Sequence, residues 1–179
     1  EAQLVYALME VSTTAQPDKT KIPSAHISLV IDRSTSMQGE RMDMVKASVL
    51  KLIRNLKPQD WISVVVFSDR AEVLIPPTRA AEVKKFEGRI SLIRTGGSTE
   101  LARGLEVGLE QLNLVRGIKT KRQLMLLTDG HTYGDEIKCL ALAEKAAQGG
   151  ITIHALGLGH EWNDTFLDEV SIKTGGNAI

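Results

Sequence analysis

Residues 26–36 read H-I-S-L-V-I-D-R-S-T-S, an apolar run that ends abruptly in acidic and hydroxyl side chains. A mostly apolar run of this length is typical of a strand that is buried on both faces. A polar turn through Gly39 follows the run. Apolar residues then recur with helical spacing at positions 42, 45, 49, 52, 53 and 56, and they stop before Pro58. The stretch therefore predicts a strand, a loop and a helix in that order.

Strands and helices continue to alternate downstream. Residues 61–67 (W-I-S-V-V-V-F) predict a second buried strand, and only three residues separate it from A-E-V-L-I at 71–75. So short a link forces an antiparallel hairpin. Further helices are predicted over residues 80–90, 101–112, 137–148 and from Asn163 or Asp164 onwards, and further strands over 123–127 and 151–156. The pattern predicts a doubly wound, Rossmann-like α/β fold: a mostly parallel sheet with one antiparallel edge strand and helices on both faces.

Composition limits the classes of function. The chain has 179 residues, with 22 basic and 22 acidic side chains, so no overall electrostatic field favours nucleic acid or an anionic membrane. Cys139 is the only cysteine, which excludes an internal disulfide and a thiolate metal site. No apolar run approaches the roughly 20 residues that cross a bilayer, so we expect no membrane segment in this fragment. The cellular compartment remains undetermined.

The first residues differ from the rest of the chain. Leu4, Tyr6 and Leu8 alternate with smaller or polar neighbours, which predicts a strand, and a polar loop with two prolines follows. The chain starts without Met or a basic leader, so we interpret it as an excised fragment. We expect residues 1–24 to be a strand and linker from an adjacent domain, and residues 25–179 to form the main domain.

Oxygen-bearing side chains occur in three separate segments at the same edge of the predicted sheet. They are D-R-S-T-S at 32–36, G-G-S-T at 96–99 and T-D-G at 128–130. In a doubly wound fold, ligands bind beyond the carboxyl ends of the strands, where these segments lie. Two carboxylates and several hydroxyls, without histidine or cysteine, suit a hard cation that keeps some water, which means Mg²⁺ or Mn²⁺. Zinc is a poor fit to this set.

The D-x-S-x-S pattern after a buried strand resembles the metal-ion-dependent adhesion site of von Willebrand factor type A domains. Asp32, Ser34 and Ser36 fill the three positions of the first loop, Thr99 matches the threonine of the second, and Asp129 matches the aspartate of the third. The resemblance runs from residue 27 to the end of the chain. The resemblance is to the prokaryotic type, and the domain looks similar to those of inter-alpha-trypsin inhibitor heavy chains and calcium-activated chloride channel-like proteins.

The resemblance implies a protein-binding module and not an enzyme. In such domains the two serines and the threonine are neutral ligands, while the two aspartates hold the ion largely through water. The ion stays electrophilic, and a Glu or Asp carboxylate from a partner protein replaces a water. We therefore expect Mg²⁺, with Mn²⁺ or Ca²⁺ possible, and a partner that presents an acidic side chain.

Five residues near the three loops are candidates for contact with that partner: Arg33, Glu100, His131, Tyr133 and Trp162. Glu100 stands where many relatives have an uncharged residue, and relatives often have one residue less in this loop. Its carboxylate could oppose an acidic ligand, or it could simply favour the start of a helix. Trp162 could be an exposed anchor or could pack over the last helix. Small residues at Gly104 and Gly108 predict close packing of the helix that carries them.

Other interpretations of the same residues remain open. Serine and threonine hydroxyls often cap helices, and the three hydroxyl candidates could do only that. A haloacid dehalogenase-type enzyme also has an aspartate after its first strand, but it requires a second carboxylate where this chain has Ser34. Nucleotide-binding and nucleophile-elbow patterns are missing from the sequence. A structural domain that binds through another surface is the remaining alternative.

Overall fold

Five strands form a single sheet in the computed structural model, which describes residues 23–115, 120–129, 132, 134–158 and 164–179. The strands are β1 (Ser24–Asp32), β2 (Trp61–Phe67), β3 (Ala71–Arg79), β4 (Thr120–Thr128) and β5 (Ile151–Gly157). Their order in the sheet is β3-β2-β1-β4-β5. β1 pairs in parallel with β2 and β4, and β4 pairs in parallel with β5, whereas β3 runs antiparallel at the edge. The predicted fold class is confirmed.

Helices cover both faces of this sheet. They are α1 (Glu40–Asn55), α2 (Ala80–Val83), α3 (Glu87–Ser91), α4 (Leu101–Leu114), α5 (Glu136–Gln148) and α6 (Asp164–Ile172). Side chains of α1, α2 and α3 share one apolar cluster with one face of the sheet. Side chains of α4, α5 and α6 share a second cluster with the opposite face. Each central strand is therefore buried on both sides, which explains its continuous apolar run.

β1 divides its side chains between the two clusters. Ile27, Leu29 and Ile31 belong to the α1 cluster, and Val30 belongs to the α4 cluster. Because successive side chains of a strand point to opposite faces, Asp32 comes next on the α4 side, at the end of the strand. The polar end of β1 is thus fixed by the apolar alternation that precedes it.

α4 packs closely against the sheet at the two glycines on its buried stripe, as predicted. A Cβ added at Gly104 would lie 2.6 Å from Cδ1 of Phe67, and one added at Gly108 would lie 2.4 Å from Cγ2 of Val30. Carbon atoms in contact normally stay about 3.5–4.0 Å apart. The two glycines therefore set the distance between α4 and the central strands, and with it the position of the loop that leads into α4.

The connection from β3 to α4 differs from the single helix predicted over residues 80–90. The structure has two short helices, α2 and α3, joined by a 3-10 turn over Lys84–Phe86. Val83 and Ile90 bury their side chains on either side of this turn. Gly88 and the β-branched residues have modest helix propensity. The burial of Val83 and Ile90 therefore decides the course of the backbone between α2 and α3.

Neither edge strand of the described sheet, β3 or β5, is a regular strand with a fully open outer side. β3 contains Pro76 and Pro77, and its pairing with β2 is interrupted by register shifts. At the other border, Ala155 of β5 forms a parallel bridge with Ala178. The N–H of Ala155 donates to the Asn177 carbonyl, and the N–H of Ile179 donates to the Ala155 carbonyl, both at 3.0 Å. A short stretch of chain therefore covers the outer side of β5.

His26 lies fully buried on β1, at the end of the strand away from Asp32. Within the described part of the chain, neither of its ring nitrogens has a hydrogen-bond partner, and its ring centroid lies 6.4 Å from that of Trp61. Burial, with the positive charge of Arg122 on β4 adding to it, lowers the pKa of His26 to about 4. The imidazole is therefore neutral at neutral pH.

The strand predicted around Leu4, Tyr6 and Leu8 lies outside the described residues, so the predicted division into residues 1–24 and 25–179 stays a prediction. Among the helices that the structure describes, none is both long enough and apolar enough to cross a membrane.

Replacing Gly108 by alanine tests the close approach of α4. Alanine has a helix propensity about 1 kcal/mol better than glycine, yet the clash with Val30 should outweigh this gain. We expect Gly108→Ala to lower the free energy of unfolding by about 1–3 kcal/mol in urea denaturation. Gly88→Ala is the control, since a Cβ there meets nothing within 4 Å. Equal stability of the two variants would contradict the proposed contact.

Burial of His26 predicts that stability depends on pH. The pKa of the folded state, about 4, lies below the unfolded value of 6.5, so the unfolded chain binds more protons between these limits. The contribution of His26 to stability is complete above about pH 6.5 and falls as the pH drops towards 4, by about 3 kcal/mol at most. Urea denaturation at a series of pH values should show a shallower fall for His26→Phe than for wild type. Parallel curves would refute this role.

Candidate functional site

The carboxylate of Asp32 lies at the carboxyl end of β1 and is completely buried. Its Oδ1 accepts a hydrogen bond from the Ser34 N–H at 2.8 Å, and its Oδ2 accepts one from the Thr128 hydroxyl at 2.7 Å. One bond comes from its own loop and the other from the end of the neighbouring strand β4. The carboxylate is therefore held in one orientation by both.

The two serines of the first loop lie side by side. Their Oγ atoms are 3.1 Å apart, with Ser34 buried and Ser36 exposed. Neither acts as a helix cap, because Ser34 makes no capping bond to the 3-10 turn at Thr35–Met37 and α1 starts only after Gly39. The capping alternative therefore does not account for these hydroxyls, and Ser34, whose N–H bonds the Asp32 carboxylate, links Ser36 to it.

The second loop is bound directly to the first. The N–H and the hydroxyl of Thr35 both donate to the Gly97 carbonyl, at 3.2 and 3.0 Å. The Gly96 N–H donates to the Arg33 carbonyl at 2.8 Å, and the Arg33 N–H donates to the Phe67 carbonyl at 2.8 Å. Three backbone segments are thus joined in a row, with the end of β2 at one side.

Thr99 lies two residues beyond Gly97 on this second loop and is 5% exposed. The next N–H, that of Glu100, donates to the Ser68 carbonyl at 2.9 Å. Gly97 itself has φ of +88°, and a Cβ there would lie 2.5 Å from Oδ1 of Asp69. Only glycine fits this position. The N-cap residue of α4 is Glu100, which makes no side-chain capping bond, so Thr99 does not occupy the capping position.

Asp129 follows β4 directly and is almost fully buried, at 1% exposed. The Arg41 Nη1 lies 3.6 Å from its Oδ2 and also donates to the Ser36 carbonyl at 3.1 Å. Arg41 therefore links the third loop to the first. Nothing in the sequence indicates this role, because Arg41 belongs to the exposed polar pattern at the start of α1.

Asp32 and Asp129 place two buried negative charges at one edge of the sheet, which favours a positive charge beside them. Burial raises the pKa of Asp32, and the negative charge of Asp129 raises it further, against hydrogen bonds from Ser34 and Thr128 that lower it. Buried carboxylates that lie near each other are costly unless a cation compensates them, and the Arg41 guanidinium, 3.6 Å from Asp129, does so for Asp129 in part. In the described part of the chain, no three histidine, cysteine or acidic side chains cluster as a metal site. The donors available here are two carboxylates and hydroxyls, which fit a hard cation.

Two further residues, Thr128 and Asp135, support the site in roles that the sequence does not indicate. Thr128 donates to Asp32, and Asp135 accepts a hydrogen bond from the Ala102 N–H at 2.7 Å at the start of α4. The other oxygen of Asp135 accepts from the Thr132 hydroxyl. Asp135 thereby fixes the start of α4 to the loop after β4. A weak signal for Thr128 was present, since it precedes Asp129 in the T-D-G turn.

The candidate partner contacts have different outcomes. Arg33 is partly exposed, and its Nη1 donates to the Arg94 carbonyl at 3.5 Å. Glu100 is exposed directly before α4, with its Oε2 3.7 Å from Nε of Arg103, as expected for an acidic side chain at a helix start. His131, Tyr133 and Trp162 lie outside the described residues, so their contact with a partner stays a prediction.

Comparison with known protein families and sequences identifies relatives over most of the chain. The family model for the von Willebrand factor type A domain matches residues 26–178. An uncharacterized protein of Synechocystis is 30% identical over 169 residues, which cover 93% of this chain and 40% of that protein. Inter-alpha-trypsin inhibitor heavy chain H1 of Mesocricetus auratus is 32% identical over 167 residues, covering 86% of this chain and 18% of that protein. The chain thus spans less than half the length of these relatives.

Solved structures share the fold. A von Willebrand factor type A protein from Catenulispora acidiphila matches with a TM-score of 0.77 at 19% identity, over 87% of this chain and 38% of that one. An aerotolerance-related membrane protein from Bacteroides fragilis matches with a TM-score of 0.71 at 20% identity, over 87% and 90% of the two chains. At these identities the likeness concerns the fold alone.

Removing the Thr128 hydroxyl tests how the Asp32 carboxylate is held. Thr128→Val keeps the shape of the side chain but leaves Oδ2 of Asp32 without the hydrogen bond from the Thr128 hydroxyl. We expect the free energy of unfolding to fall by about 1–3 kcal/mol in urea with a chelator present. Thr78→Val is the matched control, because that hydroxyl bonds the Pro76 carbonyl at an exposed position and should cost less than about 0.5 kcal/mol. The assignment fails if both variants lose the same stability.

Proposed function

This chain belongs to the von Willebrand factor type A domain family, and on that premise we propose that it is a non-enzymatic module that binds a partner protein through a divalent cation. The cation is Mg²⁺ or a similar hard ion, and the partner completes its shell with an Asp or Glu carboxylate. One observation carries the proposal: Asp32, Ser34, Ser36 and Asp129 come together at one edge of the sheet, with the Thr99 loop bonded to theirs.

The hydroxyls of Ser34, Ser36 and Thr99 are the neutral ligands in this proposal. Two observations support that role. Neither serine acts as a helix cap and Thr99 does not occupy the capping position of α4, and the two serine oxygens already lie 3.1 Å apart. Mg²⁺ requires a nearly octahedral shell and retains water, so it needs few protein ligands. Three neutral oxygens leave positions for water and for a carboxylate from outside.

Asp32 and Asp129 supply the negative charge. Both oxygens of Asp32 already accept hydrogen bonds, from the Ser34 N–H and from the Thr128 hydroxyl. This supports an action of Asp32 through ordered water instead of by direct binding. Two carboxylates that act through water attract the cation without binding it directly, so the cation stays electrophilic. This favours a third carboxylate, from the partner, as the incoming ligand.

The rim of the site also favours an acidic partner. Arg41 is 41% exposed in its side chain and lies beside Asp129, and the partly exposed Arg33 lies between two ligands of the first loop. Positive charge at the rim attracts a carboxylate and raises its rate of association. Glu100, on the second loop, is the opposing charge, and its neighbour Arg103 offsets it.

Cation binding is the first test of this function. Isothermal titration with Mg²⁺ and Mn²⁺ should show one site in the wild type, and Asp32→Asn or Ser34→Ala should weaken it at least about tenfold, since each removes a charge or a ligand. Asp43→Asn is the control, because this exposed carboxylate in the first turn of α1 should not matter. Circular dichroism checks that every variant is folded.

Two results would contradict the proposal. One is that the wild type shows no divalent cation binding, and the other is that Asp32→Asn and Ser34→Ala bind the cation as tightly as Asp43→Asn does. In either case the domain binds through another surface, without the metal.

A further inference from the structure

An open pocket of about 260 Å³ lies beside the first loop, on the side of the sheet edge that faces away from α4. Three arginines line it, Arg33, Arg89 and Arg94, over apolar side chains that include Val66 and Ile93. Arg33 stands between Asp32 and Ser34 in the chain, so the pocket is lined by the same loop that carries the proposed cation site. The hydrogen bonds of the Arg33 backbone to Phe67 and Gly96 fix this part of the loop in place.

We propose that this pocket binds a second carboxylate, from a glutamate on the same partner segment whose first acidic side chain completes the shell of the cation. The inference rests on the proposed function and names the kind of partner it takes: an acidic protein segment that presents two carboxylates, one to the metal and one to the arginines.

Arg33 has unused capacity to donate. A guanidinium carries five N–H donors, and within the described residues that of Arg33 makes one hydrogen bond, 3.5 Å long, to the Arg94 carbonyl. Its Nε is buried and has no hydrogen-bond partner among the described residues. A carboxylate matches the planar fork of donors.

The other two arginines have distinct roles. Arg94 is exposed and can turn towards an incoming group. Arg89 is already held, because its Nη1 donates to the Leu74 carbonyl at 3.0 Å and its guanidinium lies 4.9 Å from the centre of the Phe86 ring. Arg89 therefore contributes positive charge, and Arg33 with Arg94 supplies the hydrogen bonds.

The balance of charge decides the occupant. Within the described residues Glu72 is the one acidic side chain that lines the pocket, and Asp69, outside the lining, also interacts electrostatically with Arg33, so three positive charges face two negative ones. The groove on the other side of the β2–β3 hairpin has the opposite character, since its lining is dominated by Asp69, Glu100, Glu106 and Glu110. A partner segment that crosses the site therefore meets positive charge on one side and negative charge on the other, which sets its direction.

The rim of the pocket favours glutamate over aspartate. Val66 and Ile93 form an almost fully covered apolar base, at 3% and 6% exposed, whereas Leu92 at the rim is 75% exposed. The two methylene groups of a glutamate side chain can cover part of the Leu92 side chain while its carboxylate reaches the guanidinium groups.

Short peptides test the inference on the full 179-residue chain. The probes are acetylated, amidated glycine-rich peptides that carry one glutamate, or two glutamates separated by zero to three residues. Dissociation constants are measured by NMR titration in Mg²⁺ and again in EDTA. We expect one spacing to bind at least about tenfold more tightly than the single-glutamate peptide, and only in Mg²⁺.

Variants assign the gain to the pocket. Arg94→Gln should reduce the advantage of the second glutamate at least about fivefold and leave Mg²⁺ affinity unchanged, whereas Glu72→Gln should increase the advantage. Arg70→Gln is the matched control, because it removes the same charge from the opposite groove and should leave the advantage intact.

The outcomes separate the two proposals. If no peptide binds the Mg²⁺-loaded protein, carboxylate capture by the metal is wrong. If the single-glutamate peptide binds but a second glutamate adds nothing at any spacing, or if its advantage survives Arg94→Gln, the pocket inference alone is overturned. Arginine-dependent binding that persists in EDTA also overturns it, because the pocket would then be an anion site that works without the metal.

Discussion

The buried carboxylate of Asp32 is the constraint on which the rest of the site depends. A carboxylate removed from water needs donors from the protein, and it finds them in the hydroxyl of Thr128 and the N–H of Ser34. The first donor belongs to β4 and the second to the loop after β1. A single charged group therefore holds two neighbouring strands and the first loop in one arrangement, and any movement of this loop would break a buried hydrogen bond.

The packing of the core fixes the positions of the loops at the site. Gly104 and Gly108 allow α4 to lie against Phe67 and Val30, so the start of α4 is set by the core. Backbone hydrogen bonds then connect the core to the loops, because they join Phe67 to Arg33 and Arg33 to Gly96. Side chains placed on such a frame lose little freedom when they take up a ligand, which favours tight and specific binding.

Much of the fold was predictable because buried strands and helices have a regular spacing of apolar residues in the sequence. The apolar runs at 26–31 and 61–67 and the helical stripe before Pro58 mark elements that are buried on both faces or on one. The first loop was predictable for a different reason: Asp32, Ser34 and Ser36 occur together in the chain, in a pattern known from a family.

The remaining features depend on contacts between distant residues, which leave no pattern in the sequence. Thr128 and Asp32 are 96 positions apart, Arg41 reaches Asp129 from the exposed side of α1, and Asp135 bonds α4 from another loop. The interruption between α2 and α3 likewise follows from where Val83 and Ile90 find space in the core. Periodicity alone therefore predicted one continuous helix there.

The borders of the described sheet bear on how this domain behaves among copies of itself. An exposed edge strand invites association with another chain, which can end in aggregation. Pro76 and Pro77 remove two N–H donors from β3, and the stretch around Ala178 already occupies the outer backbone of β5. Neither border presents a long, regular row of free backbone groups, so crowded copies of this domain can meet through their loops without fusing into a continuous sheet.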